Sequence, residues 1–153
     1  AMNVLPASLL VLGLIGAAGH AQAANNCTIA LKGDDSMKFD LKQVTVSASC
    51  PTITIQLAHP GTLPAAAMGH NVVIGATKGA GAGGRGGIKA GLANNYVNKA
   101  DPRVIASTKV IGGGEKTSAT FPGKKLTAGG EYTFFCRFPG DSVLVKGKLV
   151  VTK

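Results

Sequence analysis

The sequence lacks an obvious catalytic set. Its 153 residues include no tryptophan, only three histidines and only three cysteines. The Gly-x-Ser-x-Gly motif of hydrolase nucleophiles is absent. The Cys-x-x-Cys motif of redox-active dithiols is absent as well. A pairing of a cysteine with a histidine as nucleophile and base has no local support. An enzyme is therefore the least favoured class of protein.

Long apolar runs are also missing. A membrane-spanning helix needs about 20 apolar residues, whereas the run at residues 9–18 has ten apolar or small residues. The Ala21-Gln22-Ala23 sequence that follows fits the small-x-small pattern of a signal-peptidase site. We therefore expect residues 1–23 to be a signal peptide and residues 24–153 to be one exported domain. A membrane anchor or a lipid-facing helix is the alternative for the first segment.

Acidic residues are scarce. The sequence contains seven Asp and Glu residues and sixteen Lys and Arg residues, so its formal net charge is +9. All of these residues follow residue 23, so the mature domain carries the whole charge, which favours acidic partners. The basic residues are scattered rather than clustered, and an exported protein rarely meets DNA. We therefore expect no nucleic-acid partner, and a solvated basic face is a simpler interpretation than a specific docking patch.

The odd number of cysteines leaves one thiol over. Cys27 and Cys50 lie at the two ends of a short stretch with hairpin-like character, and a bridge between them would stabilise the fold by about 3 kcal/mol. Cys136 would then be the unpaired thiol, in the apolar run at residues 134–138. A bare thiol is at risk in an oxidising compartment, so Cys136 is expected to be buried and inert or bound to a metal.

The part of the chain after residue 24 has the pattern of β-structure. Residues 52–57 alternate between polar and apolar side chains, which predicts a strand with one buried face. The other strand candidates are residues 38–46, 71–74, 117–121, 132–138 and 143–151. Gly- and Pro-containing turns separate these segments. The pattern predicts an all-β sandwich of about seven short strands, without an internal repeat or a second domain.

A glycine-rich segment interrupts this pattern. Residues 79–91 contain seven glycines, and each glycine destabilises a helix by about 1 kcal/mol relative to alanine. We therefore expect an excursion between two strands, in which a stable helix does not form at the glycines. A short helix in this excursion is expected near residues 88–96.

A metal site accounts for the remaining histidines and the free cysteine better than a catalytic site does. A thiolate on a rigid strand, an imidazole from a distant loop and the turn after the thiolate can converge at one end of a sandwich. Copper electron-transfer sites use two His and one Cys in a plane, with a long axial contact. This fixed plane keeps the geometries of the two copper oxidation states similar, so that little reorganisation accompanies each electron.

The motifs along the chain resemble those of azurins, which are blue copper proteins of the cupredoxin class. They are His59-Pro60-Gly61, Met68-Gly69-His70-Asn71, Gly114-Glu115-Lys116, Tyr132, Phe134-Phe135-Cys136, Phe138-Pro139-Gly140 and Lys146-Gly147. Each tripeptide alone is weak evidence, but the ordered set is specific and covers residues 27–153. The resemblance implies an eight-stranded Greek-key cupredoxin β-sandwich, one copper ion, and electron transfer in the periplasm. It also implies a redox protein as partner, an acidic one by the charge of this chain, and a monomer.

The resemblance assigns roles to individual residues. Cys136 matches the thiolate ligand, His70 the first imidazole ligand, and Gly69 a weak contact through its backbone carbonyl. Asn71 matches the residue whose hydrogen bonds tether the two ligand loops. The remaining matches are the family disulfide, Cys27–Cys50, and a buried histidine that is not a ligand, His59.

Three positions depart from the family pattern. Asp141 stands where the second ligand histidine is expected, Val145 where the axial methionine is expected, and Val72 where a tryptophan is common. Asp141 either binds the metal through its carboxylate, which suits Cu(II) or Zn(II) better than Cu(I), or is a solvated turn residue beside a weak or empty site. A thiolate and a carboxylate would lower the reduction potential, whereas an empty axial position at Val145 would raise it.

Two classes of function remain open from the sequence. The first is an azurin-like electron carrier with an altered copper site at Cys136 and His70. The second is a cupredoxin-scaffold binding protein that captures or delivers copper or another metal, or that holds no metal, and does not shuttle electrons. Retention of Cys136 and His70 favours metal binding, and the substitutions at Asp141 and Val145 favour the second class.

Overall fold

The computed structural model describes residues 26–80, 84–141 and 145–153. The signal peptide predicted for residues 1–23 lies outside the described residues and stays a prediction. Within the described ranges, no helix is both long enough and apolar enough to cross a membrane.

Eight strands in the described residues form two sheets. The strands are β1 (Thr28–Lys32), β2 (Gln43–Ser47), β3 (Thr52–Ala58), β4 (Val73–Ala76), β5 (Ala106–Ser107), β6 (Lys116–Pro122), β7 (Glu131–Phe135) and β8 (Lys146–Thr152). One sheet has the order β1-β3-β6 and the other the order β2-β8-β7-β4-β5. β1 pairs with β3 and β2 with β8 in parallel, and the other pairs are antiparallel. This architecture confirms the predicted all-β Greek-key sandwich.

The core lies between the two sheets and follows from the alternation of the strands. In β3, Ile53, Ile55 and Leu57 are almost completely buried, and the residues between them point away from the core. Phe134 of β7 is likewise fully buried and packs against Phe39. Burial of each such side chain stabilises the fold by about 1.5–3 kcal/mol relative to exposure, so the sandwich is a rigid base for the loops at its ends.

The strand predictions differ from the structure mainly at short elements. The strand predicted for residues 38–46 begins only at Gln43, because Phe39 instead forms an isolated bridge with Gly33. β1 and β5 were not predicted, and both are short, with five and two residues. β5 is too short to show a periodic pattern, whereas the alternation of Ile29 and Leu31 in β1 is a signal that could have predicted this strand.

The glycine-rich excursion is more helical than predicted. Helix α2 spans Thr77–Ala80, helix α3 spans Gly84–Ala90, and a 3-10 turn follows at Leu92–Asn94. The 3-10 turn lies within residues 88–96, where a short helix was expected, but α3 begins at Gly84, so the expectation that no helix forms at the glycines is wrong. Residues 81–83 lie outside the described residues. Packing outweighs the low helix propensity of glycine: a Cβ atom at Gly87 would lie 2.1 Å from the Tyr96 carbonyl oxygen, so only glycine permits this approach.

The excursion packs on the outer face of the five-stranded sheet. A second buried cluster contains Val73 of β4, Phe135 of β7 and Val97 of the excursion. The guanidinium carbon of buried Arg137 lies 4.4 Å from the centre of the Phe135 ring. These contacts attach the excursion to the end of β7, the strand that leads directly into Cys136.

The cysteines pair as expected. Cys27 and Cys50 form a disulfide across 23 residues of sequence, which connects the residue before β1 to the turn before β3. Cys136 is a free, buried thiol. The predicted disulfide is therefore confirmed.

Candidate metal centre

Cys136 occupies the first position after β7 and is held rigidly. Its backbone N–H donates to the carbonyl oxygen of Val145 at 2.9 Å. The backbone N–H groups of Asn71 and Phe138 donate hydrogen bonds to its sulfur. Because the side chain is completely buried, the sulfur has one fixed environment and is shielded from oxidants.

His70 presents one ring nitrogen to this sulfur. Its Nε2 lies 2.5 Å from the carbonyl oxygen of Asp34, and since a carbonyl can only accept, Nε2 carries the proton. Nδ1 is therefore the ring nitrogen that can bind a metal ion. Gly33 packs against the other side of the ring, where a Cβ atom would lie 2.8 Å from His70 Cγ. The ring is therefore fixed in both orientation and tautomer.

Asp141 is the third potential ligand and lies in the turn that follows Cys136. Its backbone N–H donates to the Phe138 carbonyl at 3.0 Å, and its carbonyl accepts from Val145 N–H at 2.8 Å. The side chain is 1% exposed, so the alternative of a solvated turn residue is wrong. Oδ2 lies 3.4 Å from His70 Nδ1 and 3.6 Å from Cys136 Sγ.

The three donor atoms form a nearly equilateral triangle. The third side, from Cys136 Sγ to His70 Nδ1, measures 3.8 Å, and all three residues are buried. Bonds of about 2.0–2.3 Å to a common ion place neighbouring donors about 3.3–4.0 Å apart in trigonal or tetrahedral geometry. The observed separations lie within this range, so the donor set fits a metal ion.

Burial raises the pKa of two of the three donors. Loss of solvation raises the pKa of the Cys136 thiol to about 12; two N–H donors oppose this shift, and the nearby Asp141 adds to it. Burial also raises the pKa of Asp141, while His70 and Cys136 act in the opposite direction. The thiol is therefore protonated at neutral pH until a cation displaces its proton.

This displacement predicts a pH-dependent metal affinity. Binding of a divalent ion should release at least one proton, from Cys136, because only the thiolate is a strong ligand. Below the thiol pKa of about 12, the apparent affinity should rise by about tenfold per pH unit. It should rise more steeply at acid pH, where Asp141 is also protonated. Titrations between pH 6 and 8 in buffers of different ionisation enthalpy measure this release, and an affinity independent of pH would contradict the prediction.

Asn71 connects the chain segments around the site through hydrogen bonds. Its Oδ1 accepts from the backbone N–H of Arg137 at 2.7 Å, and its Nδ2 donates to the carbonyl of Asn95 at 2.8 Å. Asn95 Oδ1 in turn accepts from Val110 N–H at 2.9 Å. The side chain, which is fully buried, thus connects the His70 loop to the end of β7 and to the glycine-rich excursion.

The other residues singled out in the sequence lie beside the triangle. Gly69 is buried between helix α1 (Ala65–Met68) and His70. His59 is buried too, with its Nδ1 accepting from Gly61 N–H at 3.1 Å and its Nε2 at 2.8 Å from the Met68 carbonyl. Both of its ring nitrogens therefore bond to the backbone, and His59 is not part of the donor triangle.

Some residues that shape the site could not be found from the sequence. The Asp34 carbonyl and the Phe138 N–H act through the backbone, which leaves no side-chain signal. Gly33 matters because it has no side chain. The Asn95 contact depends on a left-handed backbone, with φ of 55°, directly after the 3-10 turn of the excursion.

A buried cysteine, histidine and carboxylate at one end of a Greek-key sandwich define a metal-binding protein of the cupredoxin class. The family profile described as copper binding proteins, plastocyanin/azurin family, matches residues 25–152. This match covers most of the chain. The chain therefore belongs to the plastocyanin/azurin family, and copper is its expected cofactor.

Individual relatives agree with this assignment. Azurin-1 of Alcaligenes xylosoxydans xylosoxydans is 53% identical over 125 residues, which cover 80% of this chain and 95% of that protein. Azurin of Bordetella pertussis is 46% identical over 138 residues, covering 90% and 92%. The solved structure of the azurin Az-iso2 from the methylotroph Methylomonas sp. strain J superposes with a TM-score of 0.79 at 37% identity, covering 83% of this chain and 98% of that one.

Proposed function

We propose that this chain is an azurin-like electron-transfer protein that binds one copper ion through Cys136, His70 and Asp141, with Gly69 as a weak backbone contact. Residues 1–23 direct export and are removed, and residues 24–153 act in the periplasm as a monomer. The protein catalyses no reaction of its own. It exchanges electrons with a redox protein, for which an acidic surface would suit the net charge of +9.

The observation that carries this proposal is the triangle of buried donors with sides of 3.4, 3.6 and 3.8 Å. A bound copper ion would supply the one-electron change. The chain contributes ligands whose positions are set by backbone hydrogen bonds and by Asn71, so they move little when the charge changes. Exclusion of water from the donors reduces the solvent reorganisation further.

The alternative is a metal-capturing or metal-free scaffold protein that does not shuttle electrons. It is favoured by Asp141 and Val145, which replace an imidazole and a thioether of the family pattern. A carboxylate next to a thiolate stabilises the oxidised ion, and a copper centre that is too difficult to reduce does not serve as a carrier. Both candidates share the same residues and differ in their redox behaviour.

Copper titration combined with voltammetry tests the proposal. The mature protein should take up one equivalent of Cu(II), show a thiolate-to-copper absorption in the visible, and give a reversible one-electron wave. Cys136→Ala should abolish the absorption, whereas Lys32→Ala, a change on the exposed face of β1, should retain it. Stoichiometric copper without a reversible wave would support the capture function, and absence of copper uptake would support the metal-free one.

A further inference from the structure

A carboxylate oxygen at the metal centre is buried without a partner. Among the described residues, Asp141 Oδ1 is a buried side-chain oxygen that accepts no hydrogen bond. A buried carboxylate oxygen without a donor is strongly destabilising. Its partner atom Oδ2 faces His70 Nδ1 and Cys136 Sγ, so the carboxylate borders the donor triangle, and a cation bound there would compensate its buried charge.

The total charge of the three donors determines which cation charge the site favours. When Cys136 and Asp141 are both ionised, they place two negative charges within 3.6 Å of each other, while His70 contributes a neutral nitrogen. A divalent ion neutralises the pair. A monovalent ion leaves one uncompensated negative charge, and in a site this deeply buried such a charge is disfavoured.

The hardness of the Asp141 oxygen adds to this effect. Carboxylate oxygen suits divalent ions such as Zn(II) and Cu(II), whereas thiolate and thioether sulfur suit Cu(I). At the position of the family's axial methionine stands Val145, which is buried and offers no donor in its side chain. The Asp141 oxygen therefore acts in the same direction as the charge, whereas the Cys136 thiolate and the empty axial position at Val145 favour a monovalent ion.

We propose that Asp141 makes this centre selective for divalent over monovalent ions, so that it holds Zn²⁺ and oxidised copper more tightly than Cu⁺. This inference rests on the proposed function only in that the same three residues hold the ion. It adds Zn²⁺ as a ligand of the site. It also assigns Asp141 as the residue that determines the selectivity.

Asp141→Asn tests the role of the charge, because asparagine has nearly the same shape and keeps one oxygen. The probes are Zn²⁺ and Ag⁺, the latter a redox-inert substitute for Cu⁺, each measured alone by competition with a chelator of known affinity. The variant should lose about 100-fold in Zn²⁺ affinity, while its Ag⁺ affinity stays within about tenfold or rises. Glu131→Gln removes the same charge at an exposed position of β7 and should leave both affinities unchanged.

Equal changes for Zn²⁺ and Ag⁺ in Asp141→Asn, or no change for either, would overturn the inference while leaving copper binding intact. Failure of the unmodified protein to bind copper, Zn²⁺ and Ag⁺ would contradict the proposed function as well. If circular dichroism shows that Asp141→Asn is unfolded, Asp141→Ala, which removes the charge together with both oxygens, is measured with the same two ions. Thermal unfolding of the unmodified protein gives an independent readout, because Zn²⁺ should raise its Tm more than an equal concentration of Ag⁺.

Discussion

Asp141→His combined with Val145→Met is expected to turn this protein into an intensely coloured copper protein. The double change restores the second imidazole and the axial sulfur of the family pattern, next to the Cys136 sulfur and His70 that are already in place. Residue 141 is suitably placed, because the Asp141 carboxylate lies 3.4 Å from His70 Nδ1. Titration with Cu(II), followed in the visible, should show a thiolate-to-copper band several times stronger than that of the unmodified protein.

The larger side chains have a structural cost. Positions 141 and 145 are both buried, and overpacking a filled interior costs about 1–3 kcal/mol, so the metal-free double variant should unfold at lower denaturant concentration. Adding Cys136→Ala should remove the band in either background. A folded double variant that stays colourless with copper would mean that the ligand loops do not converge. If the unmodified protein is already intensely blue, Asp141 does not weaken the thiolate-to-copper absorption.

Asn71→Ala should strongly destabilise the fold and loosen the metal centre together. The substitution leaves the Arg137 N–H and the Asn95 carbonyl without the partners they now have at 2.7 and 2.8 Å. The Arg137 N–H bond is buried and the Asn95 bond partly buried. An unsatisfied buried group costs about 1–3 kcal/mol, so the free energy of unfolding should fall by about 2–4 kcal/mol. Urea unfolding of the metal-free protein measures this loss, and transfer of copper to a chelator should become faster in the loaded variant.

A matched control distinguishes the loss of the Asn71 hydrogen bonds from the general effect of replacing an asparagine. Asn98 is exposed, and its Oδ1 accepts only a local bond from Ala100 N–H. Asn98→Ala should therefore change stability by less than about 0.5 kcal/mol and leave copper release unaltered. If Asn71→Ala behaved in the same way, the hydrogen bonds around it would not hold the two loops together.

The sequence was informative where one pattern decides the structure. Residues 52–57 alternate without interruption, and β3 covers all of them. The short motifs around His70 and Cys136 located the site, since each ligand sits next to recognisable turn residues. Helix α3 could not be predicted because the contact of Gly87 with Tyr96, rather than helix propensity, determines it. The burial of Asp141 was also beyond the sequence, since a turn residue after Pro-Gly is as compatible with solvent as with the interior.

The position of the last strand has a consequence for the order of folding. β8 lies between β2 and β7 in the five-stranded sheet, and its parallel partner β2 is about one hundred residues away in the chain, with Val44 opposite Leu149. Pairing over such a separation makes folding slow, because a large loop must close first. While residues 146–152 are still unpaired, β2 is an open edge and β7 lacks one neighbour. The segment from Cys136 to Asp141 is then anchored at one end only, so we expect the donor triangle to form late, after the two halves of the sandwich have joined.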